Sequence, residues 1–216
     1  MFDNLRVTSF QAPIATPTLV AVSQTPRLYV ADGFLTRDEI THVLACGNDD
    51  DALAARGVTV RHDRSGRSCE LPVDGDPVLS AIRARVEQRL GVVNLHGSTM
   101  RFRHYDAGEE HPPHLDCYEI AGSHLVITAL MHLLDCPDGG DTTFPRAWPA
   151  PVSIRPKAGR LVAWFNYYPN GARDEASYHL GSAVRAGHKA TITAFIYAPL
   201  DAARVRPAAT PGWIAD

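Results

Sequence analysis

The sequence contains no long run of basic residues and no run of apolar residues long enough to cross a membrane. Its 21 basic and 24 acidic residues are mixed along the chain and give a formal net charge of -3. Proteins that follow a phosphate backbone cluster their lysines and arginines, so nucleic acid is not an expected partner. The first 26 residues also lack the basic start and apolar core of a secretion signal. We therefore expect a soluble, cytoplasmic protein without a membrane span.

Cysteine is scarce, and its spacing excludes two kinds of site. The sequence has four cysteines, Cys46, Cys69, Cys117 and Cys136, and none of them forms a C-x-x-C pair. Neither a zinc knuckle nor a dense disulfide framework is indicated. Reduced thiols are the expected state.

The length and composition are typical of one globular domain. A chain of 216 residues, 45% hydrophobic and 21% charged, can bury most of its surface in a single core. Residues 1–26 are rich in proline, threonine and alanine without periodicity and are expected to form an N-terminal arm. Residues 27–200 would then form the domain and residues 201–216 a C-terminal tail. A homodimer is compatible with the sequence, which does not fix the oligomeric state.

Two helices are predicted ahead of a region rich in strands. Thr36 and Glu39 form a capping box that opens the first helix. The second begins with Asp76 as the cap and Pro77 in the first turn, and Gly91 closes it.

From residue 99 onward the hydrophobic period changes. Segments rich in β-branched or aromatic residues, separated by Gly, Pro and Asp, predict antiparallel strands. One of them, "HLVITALMHLL", is apolar on both faces and is expected to be a buried central strand. The pattern indicates a mainly β protein with flanking helices, arranged as a β-sandwich or jelly roll.

Residues 101–116, "RFRHYDAGEEHPPHLD", are rich in histidine and acidic residues. Within this segment His114 and Asp116 have the spacing at which alternate side chains leave the same face of an extended strand. Such a pair also arises by chance in a chain with ten histidines, so a third ligand is needed, and His179 is the best candidate. Two imidazoles and one carboxylate bind non-haem Fe(II) with open coordination positions. Zinc would accept the same donors.

Lys189 distinguishes between these two metals. It lies in "HKATITAFIY", a strand that is otherwise apolar or threonine-bearing, and a buried lysine is costly unless it meets an anion. A dicarboxylate that chelates the metal at one end would leave its far carboxylate in need of such a cation. Tyr105 and Thr142 could add hydroxyl donors. If Lys189 did not bind the co-substrate, Arg160 and Arg185 would be the next candidates.

Several ordered segments carry a resemblance to a known family. From about residue 34 to residue 197 the chain resembles the Fe(II)/2-oxoglutarate-dependent dioxygenases of the prolyl 4-hydroxylase type. The segments that match, in order, are "GFLTRDEITHVL", "VRHDRSGRSCEL", "FRHYDAGEEHPPHLD", "HLVITALMHLLDCPDGGDTTFP", "IRPKAGRLVAWFN" and "HLGSAVRAGHK". The six segments in this order indicate the family more specifically than any one of them alone.

This resemblance implies a fold, cofactors and site residues. The fold would be the double-stranded β-helix, a cupin-like jelly roll with helices outside it. Fe(II) would be the metal, with 2-oxoglutarate and O2 as co-substrates that are converted to succinate and CO2 while the substrate is hydroxylated. The implied iron ligands, which would also be the catalytic centre, are His114, Asp116 and His179. The implied 2-oxoglutarate ligands are Tyr105, Thr142 and Lys189.

The chain departs from the family at positions that line the substrate cleft. It has His124 where the peptide hydroxylases have arginine, Phe195 where they have tryptophan, and Asp63 after the loop arginine, which remains as Arg61. His111 replaces the second tyrosine of the metal motif. We expect Arg61, Asp63, His124 and Phe195 to bind substrate, with Asp63 meeting an amine and Arg61 a carboxylate.

These features allow four functions to be compared. The preferred one is hydroxylation of an amino acid, small peptide or other small metabolite, and the next is hydroxylation of prolyl residues in a protein or proline-rich peptide. A non-catalytic 2-oxoglutarate or metal-binding module has no support, since every ligand position is filled. A zinc hydrolase leaves Lys189 unexplained. Two other residues, His132 and Trp164, are interpreted as a hydrogen-bonded core histidine and a core aromatic.

Overall fold

The computed structural model describes residues 18–212 of the chain, which consist mainly of β-strands. The strands are β1 (Leu19–Gln24), β2 (Arg27–Ala31), β3 (Arg61–Asp63), β4 (Gly66–Pro72), β5 (Thr99–Tyr105), β6 (His111–His114), β7 (Glu119–Ile120), β8 (Ser123–His132), β9 (Asp138–Gly139), β10 (Thr142–Phe144), β11 (Val152–Ile154), β12 (Leu161–Phe165), β13 (His179–Gly181), β14 (Val184–Ala186), β15 (Lys189–Ala198) and β16 (Ala209–Pro211). The helices are α1 (Arg37–Asn48), α2 (Asp50–Ala55) and α3 (Pro77–Leu90), with short 3₁₀ helices at Glu175–Ser177 and Leu200–Arg204.

Both predicted helices form, and their caps explain where they begin. The Thr36 hydroxyl accepts a hydrogen bond from the Glu39 N–H at 3.2 Å, while the Glu39 carboxylate accepts one from the Thr36 N–H at 2.9 Å. The Asp76 carboxylate caps α3 by accepting hydrogen bonds from the Val78 and Leu79 N–H groups at 3.0 Å, and Gly91 ends the helix with a φ of 71°. Helix α2, capped by Asp49, was not predicted because six residues are too few to show a helical period.

The larger sheet has ten strands and supports the site. Its order is β16-β1-β2-β12-β8-β15-β5-β4-β3, and β7 pairs with β8 outside that path. At its centre β8 and β15 run antiparallel, with Thr191 opposite His132 and Phe195 opposite Thr128. Strand β8 is buried along nearly its whole length, which confirms the predicted central strand.

The two faces of this sheet have different partners. One face packs against α1 and α3 through residues such as Phe102 and Ile192 and forms the main core. The other face covers the four-stranded sheet β11-β10-β13-β6, with a smaller apolar cluster between the two sheets. That cluster includes Leu28, Phe144 and Trp164. Two facing sheets with helices outside them confirm the predicted jelly roll.

The segments assigned to the arm and the tail each add a strand to the larger sheet. Strand β1 lies within residues 1–26 and β16 within residues 201–216, and the two pair in parallel. Leu19 and Val22 of β1 are buried, so apolar contacts hold this strand against the domain. Residues 1–17 and 213–216 lie outside the described residues. Within the described part of the chain, no helix combines the length and the apolar character needed to span a bilayer, and all four cysteines are free thiols.

Candidate active site

Two strands of the smaller sheet bring the predicted metal ligands together. Strand β6 ends at His114 and β13 begins at His179, and these two residues lie directly opposite each other in the antiparallel pair. Asp116 follows two residues after His114. One potential ligand atom from each of the three side chains lies within 4.8 Å of the other two. We call this set the triad.

The triad has the separations of ligands that surround one point. His114 Nε2 lies 3.3 Å from Asp116 Oδ1, and His179 Nε2 lies 3.7 Å from Asp116 Oδ2. Asp116 and His179 are buried. Metal–ligand bonds of about 2 Å to nitrogen and oxygen would fit between atoms spaced in this way.

Backbone carbonyl groups orient both imidazole rings. His114 Nδ1 donates to the Pro112 carbonyl at 2.8 Å, and His179 Nδ1 donates to the Ser177 carbonyl at 2.9 Å. A carbonyl can only accept, so each neutral ring carries its proton on Nδ1. Each Nε2 lone pair is therefore free to bind a metal.

A second pair of side chains positions the carboxylate. The Thr128 hydroxyl donates to Asp116 Oδ2 at 2.8 Å, and Asn166 Nδ2 donates to the Thr128 hydroxyl at 3.2 Å. Both residues are buried on the larger sheet or directly after it. The sequence analysis did not identify them, because a single threonine in a mostly apolar strand and an asparagine directly after another strand give no sign of the side chains that they meet.

The electrostatics of Asp116 and His179 favour metal binding, whereas Asp116 raises the pKa of His114 against the effect of burial. Burial opposes ionisation of Asp116, but the hydrogen bond with His114 and the charges of both histidines outweigh it and lower the pKa of Asp116 to about 2. Burial is also the largest influence on His179 and lowers its pKa to about 4. At neutral pH the pocket offers an anionic carboxylate and a neutral imidazole, the forms that a metal binds.

Lys189 is buried at the start of β15. It is opposite Tyr105 in the β15–β5 pair, and its ammonium lies 5.3 Å from the centre of the Tyr105 ring. Lys189 is only 3% exposed, and it forms no ion pair with an acidic side chain among residues 18–212. Burial lowers its pKa to about 8. A cation in this setting is stabilised by an anionic ligand.

Thr142 and a glycine of the smaller sheet lie near Lys189. Thr142 is opposite Gly181 in the β10–β13 pair, and a Cβ added at Gly181 would lie 3.4 Å from Lys189 Nζ. The absence of a side chain at Gly181 therefore leaves room beside the ammonium. Thr142 Oγ1 is buried and has no hydrogen-bond partner in the described structure, so it is available to the same ligand.

The interpretation of His132 as a hydrogen-bonded core residue is wrong. The side chain is fully buried, but neither ring nitrogen has a hydrogen-bond partner among the described residues. Burial and the charges of Lys189 and Arg160 hold its pKa well below the usual range. His132 is therefore a neutral ring near Lys189 with a free donor and a free acceptor.

Arg160 and Arg185, the two alternatives to Lys189 as the co-substrate cation, are paired with acidic side chains. Arg160 Nε donates to Asp32 Oδ1 at 2.6 Å, and Arg185 Nε donates to Asp138 Oδ2 at 3.0 Å on the surface. Of the three cations considered, Lys189 is the one beside the free Thr142 hydroxyl.

The triad opens into a pocket of 180 Å³. Its other walls include Arg101, Arg103, Leu130, Trp164, Thr193 and Phe195. The Trp164 ring lies 4.6 Å from the His179 ring and also belongs to the apolar cluster between the sheets. Trp164 is therefore both a core aromatic, as predicted, and a wall of the site.

Arg101 and Arg103 were missed by the sequence analysis, although a signal for them was present. In β5 the buried Phe102 faces the helices, and Arg101, Arg103 and Tyr105 alternate with it. Once Tyr105 is placed at the co-substrate end, the period of two puts both arginines on the same inner face.

The predicted substrate residues do not all lie in this pocket. Phe195 does, while Arg61 and Asp63 line a neighbouring cleft of 520 Å³. His124 lies outside both cavities, where it contacts the Tyr167 ring at 5.7 Å and lies 3.9 Å from Glu119. The His111 and His114 rings are nearly perpendicular, and their centres lie 4.6 Å apart.

The relatives that match this chain in sequence are named as prolyl 4-hydroxylases. No protein-family model matches the chain. Probable prolyl 4-hydroxylase 7 of Arabidopsis thaliana is 27% identical over 209 residues, a match that covers 84% of this chain and 66% of that protein. Probable prolyl 4-hydroxylase 6 of the same plant is 24% identical over 220 residues and covers 89% and 76%, respectively. The chain thus spans two thirds to three quarters of the length of these relatives.

At least one solved structure has a fold similar to that of this chain. The viral collagen prolyl hydroxylase of Paramecium Bursaria Chlorella virus-1, in its 2OG complex, superposes with a TM-score of 0.64 at 18% sequence identity. The alignment covers 79% of this chain and 95% of the viral protein. A likeness at this level of identity establishes the shared fold.

Proposed function

We propose that this chain, a 2-oxoglutarate-dependent dioxygenase of the prolyl 4-hydroxylase type, hydroxylates an amino acid, a small peptide or another small metabolite. The proposal depends above all on one observation: the buried, unpaired Lys189 lies near the triad, because its charge acts on His179 and its ammonium lies beside Gly181, two residues further along β13. The free Thr142 hydroxyl belongs to the residue opposite that glycine. A metal site alone would be compatible with many reactions. A metal site next to an unpaired buried cation is suited to a dicarboxylate that spans both.

The donor set of the triad fits Fe(II). His114 and His179 would bind through Nε2 and Asp116 through a carboxylate oxygen, which leaves coordination positions open for other ligands. Thr128 would hold the carboxylate in place. When bound, Fe(II) supplies the oxidising chemistry with 2-oxoglutarate and O2, so that 2-oxoglutarate is split to succinate and CO2 and one oxygen atom enters the substrate.

The buried end of the site fits the far carboxylate of 2-oxoglutarate. The Lys189 ammonium would pair with it, and the Thr142 and Tyr105 hydroxyls would donate hydrogen bonds to it. His132 offers a further donor near the same point. Because this end is closed to water, a single charge pair there contributes more than it would on the surface.

The pocket in front of the triad favours a small substrate. Its volume of 180 Å³ is below the roughly 300–1,000 Å³ of pockets that enclose drug-sized ligands. The two side chains that would grip a proline-rich peptide in the resembling family are replaced by His124 and Phe195, and His124 lies outside the pocket. An imidazole does not reproduce the bidentate fork of a guanidinium.

Hydroxylation of a prolyl residue within a peptide is the second candidate. It is favoured by the names of the relatives and by the neighbouring cleft of 520 Å³, which shares Arg101 and Arg103 with the pocket. An extended peptide would need such a cleft for the residues on either side of the proline.

Product analysis distinguishes the two candidates. Protein loaded anaerobically with Fe(II) would be mixed with 2-oxoglutarate, O2 and a panel of free amino acids, small amines and repeating Pro-Pro-Gly peptides. We expect oxygen insertion into a small compound with matching succinate formation, and little product from the peptides. Efficient hydroxylation of the peptides would instead establish the second candidate. No hydroxylated product and no succinate above the level of an Asp116→Ala variant would contradict both.

A further inference from the structure

Arg103 is a partly buried cation that the protein does not pair with an acid. One guanidinium nitrogen of Arg103 donates to the Ser65 carbonyl at 3.3 Å, and the guanidinium also forms a hydrogen bond with the Tyr105 side chain; both partners are uncharged. Among residues 18–212, no carboxylate lies within ion-pair distance of it. Removing a charged group from water without a counter-charge is unfavourable, so this position calls for an anion from outside the protein.

Two neighbouring arginines, unlike Arg103, form ion pairs with acidic side chains. Arg101, two residues earlier on the same face, donates from Nε to Glu70 Oε1 at 2.6 Å and stacks over Phe195 at 4.9 Å. Arg67, on the adjacent strand, pairs with Asp50 at 2.5 Å. The charge of Arg103 is therefore the one left unmatched in this part of β4 and β5.

The position of Arg103 places this unmatched charge next to the triad. Arg103 lines the 180 Å³ pocket together with His111, His114 and Asp116. It also lines the larger cleft, and Arg101 is the one other residue common to both cavities. The Asp116 carboxylate in the pocket is already bonded to Thr128 and lies against His114, so it is not the missing partner.

We propose that Arg103 binds the carboxylate of the substrate, so that the enzyme acts on a free carboxylic acid such as an amino acid or a peptide carboxyl terminus. The inference rests on the proposed function, because it assigns a substrate class to the same pocket. A guanidinium presents parallel N–H donors that match a carboxylate. Lys189 takes the far carboxylate of 2-oxoglutarate at the other end, so each acid has its own cation. A prolyl residue inside a peptide chain has no carboxylate to place at Arg103.

Equilibrium binding tests this assignment without turnover. Calorimetric titrations would use protein loaded with Mn²⁺ and saturated with 2-oxoglutarate, and the probes would be pairs of L-amino acids and their carboxamides, beginning with L-proline and L-prolinamide. We expect at least one acid to bind about tenfold or more tightly than its amide, in line with a charged hydrogen bond. Arg103→Gln should remove this preference, and Arg103→Lys should keep part of it. Arg185→Gln, a surface arginine paired with Asp138, is the matched control and should change nothing.

Two results would overturn the proposal. One is a protein that binds acids and amides equally, or binds no acid of the panel. The other is an Arg103→Gln variant that keeps its preference for acids; if that variant also loses affinity for 2-oxoglutarate, Arg103 serves the co-substrate instead. Succinate formation reports on the proposed function separately: active enzyme without acid preference contradicts this inference alone, and acid preference without hydroxylation contradicts the proposed function alone.

Discussion

Thr128 and Asp116 join the central strand of the larger sheet to the segment that follows β6, through a hydrogen bond of 2.8 Å. Thr128 in turn accepts from Asn166 at 3.2 Å. One carboxylate oxygen of Asp116 is thereby held by the larger sheet, and the same oxygen lies 3.7 Å from His179 Nε2. The smaller sheet supplies the imidazoles, and the larger sheet sets the direction of the acid.

Replacing Thr128 with valine should weaken metal binding without unfolding the protein. Valine keeps the volume of threonine but cannot donate to Asp116, and loss of such a supporting hydrogen bond typically costs about 10–100-fold in metal affinity. Competition with a chromogenic chelator would measure the change. The control is Thr193→Val, which alters another wall of the pocket but no hydrogen bond to Asp116. Equal affinities in the two variants would show that Thr128 does not position the ligand.

Replacing a triad residue should abolish hydroxylation while the protein stays folded. His179→Ala and Asp116→Ala each remove a metal ligand rather than a large part of the core. Product formation and circular dichroism would be measured together. His96→Ala, at a histidine that contacts Tyr197 outside the pocket, should keep full activity. Full turnover by both triad variants would contradict the assignment.

Replacing Lys189 with alanine should strongly reduce the affinity for 2-oxoglutarate. Loss of one partner of a buried ion pair typically costs about 3–5 kcal/mol, which corresponds to more than about a hundredfold in the dissociation constant. Titration of 2-oxoglutarate into metal-loaded protein would measure it. Lys157 is the other lysine of the sequence, and Lys157→Ala is the control because that side chain pairs with Asp32 at 2.7 Å. An unchanged constant in Lys189→Ala would mean that the co-substrate is anchored elsewhere.

The affinity for 2-oxoglutarate should fall as the pH rises through about 8, the pKa to which burial lowers Lys189. Below that pH the ammonium is charged and pairs with the carboxylate. Above it the lysine must first gain a proton, so the dissociation constant should rise about tenfold per pH unit until the pKa of the complex is reached. Titrations between pH 7 and 10 would follow this change. Lys189→Arg should bind with a flat profile because its guanidinium stays charged, and a flat profile in the unaltered protein would exclude Lys189 as the partner.

Helix ends and strand positions were predictable because their signals are local. Asp76, Pro77 and Gly91 act within one turn of each end of α3, and the structure begins and ends the helix between them. His114 and Asp116 are also a local pair. His179 is distant in sequence, and the resemblance of ordered motifs indicated it as the third ligand more firmly than any spacing could.

Pairing between distant segments was not predictable. Arg160 and Asp32 are neighbours because β12 lies beside β2, and nothing in either local sequence indicates it. The same limitation applies to His132, whose missing partners depend on which side chains surround it in the folded protein. Arg103 lies between these cases: its inward direction follows from alternation in β5, but its lack of an acidic partner does not.

The bonds from the histidine Nδ1 atoms to carbonyl groups two residues earlier have a consequence for metal choice. Each ring is oriented by its own chain segment, so the ligands keep their directions before any ion arrives. Because its ligands are already oriented, the triad does not select among divalent ions by rearranging around one of them. Affinity should then follow the general order of donor chemistry, in which copper, nickel and zinc exceed Fe(II). Occupancy by iron would accordingly be decided by which metal the surroundings supply to the folded protein.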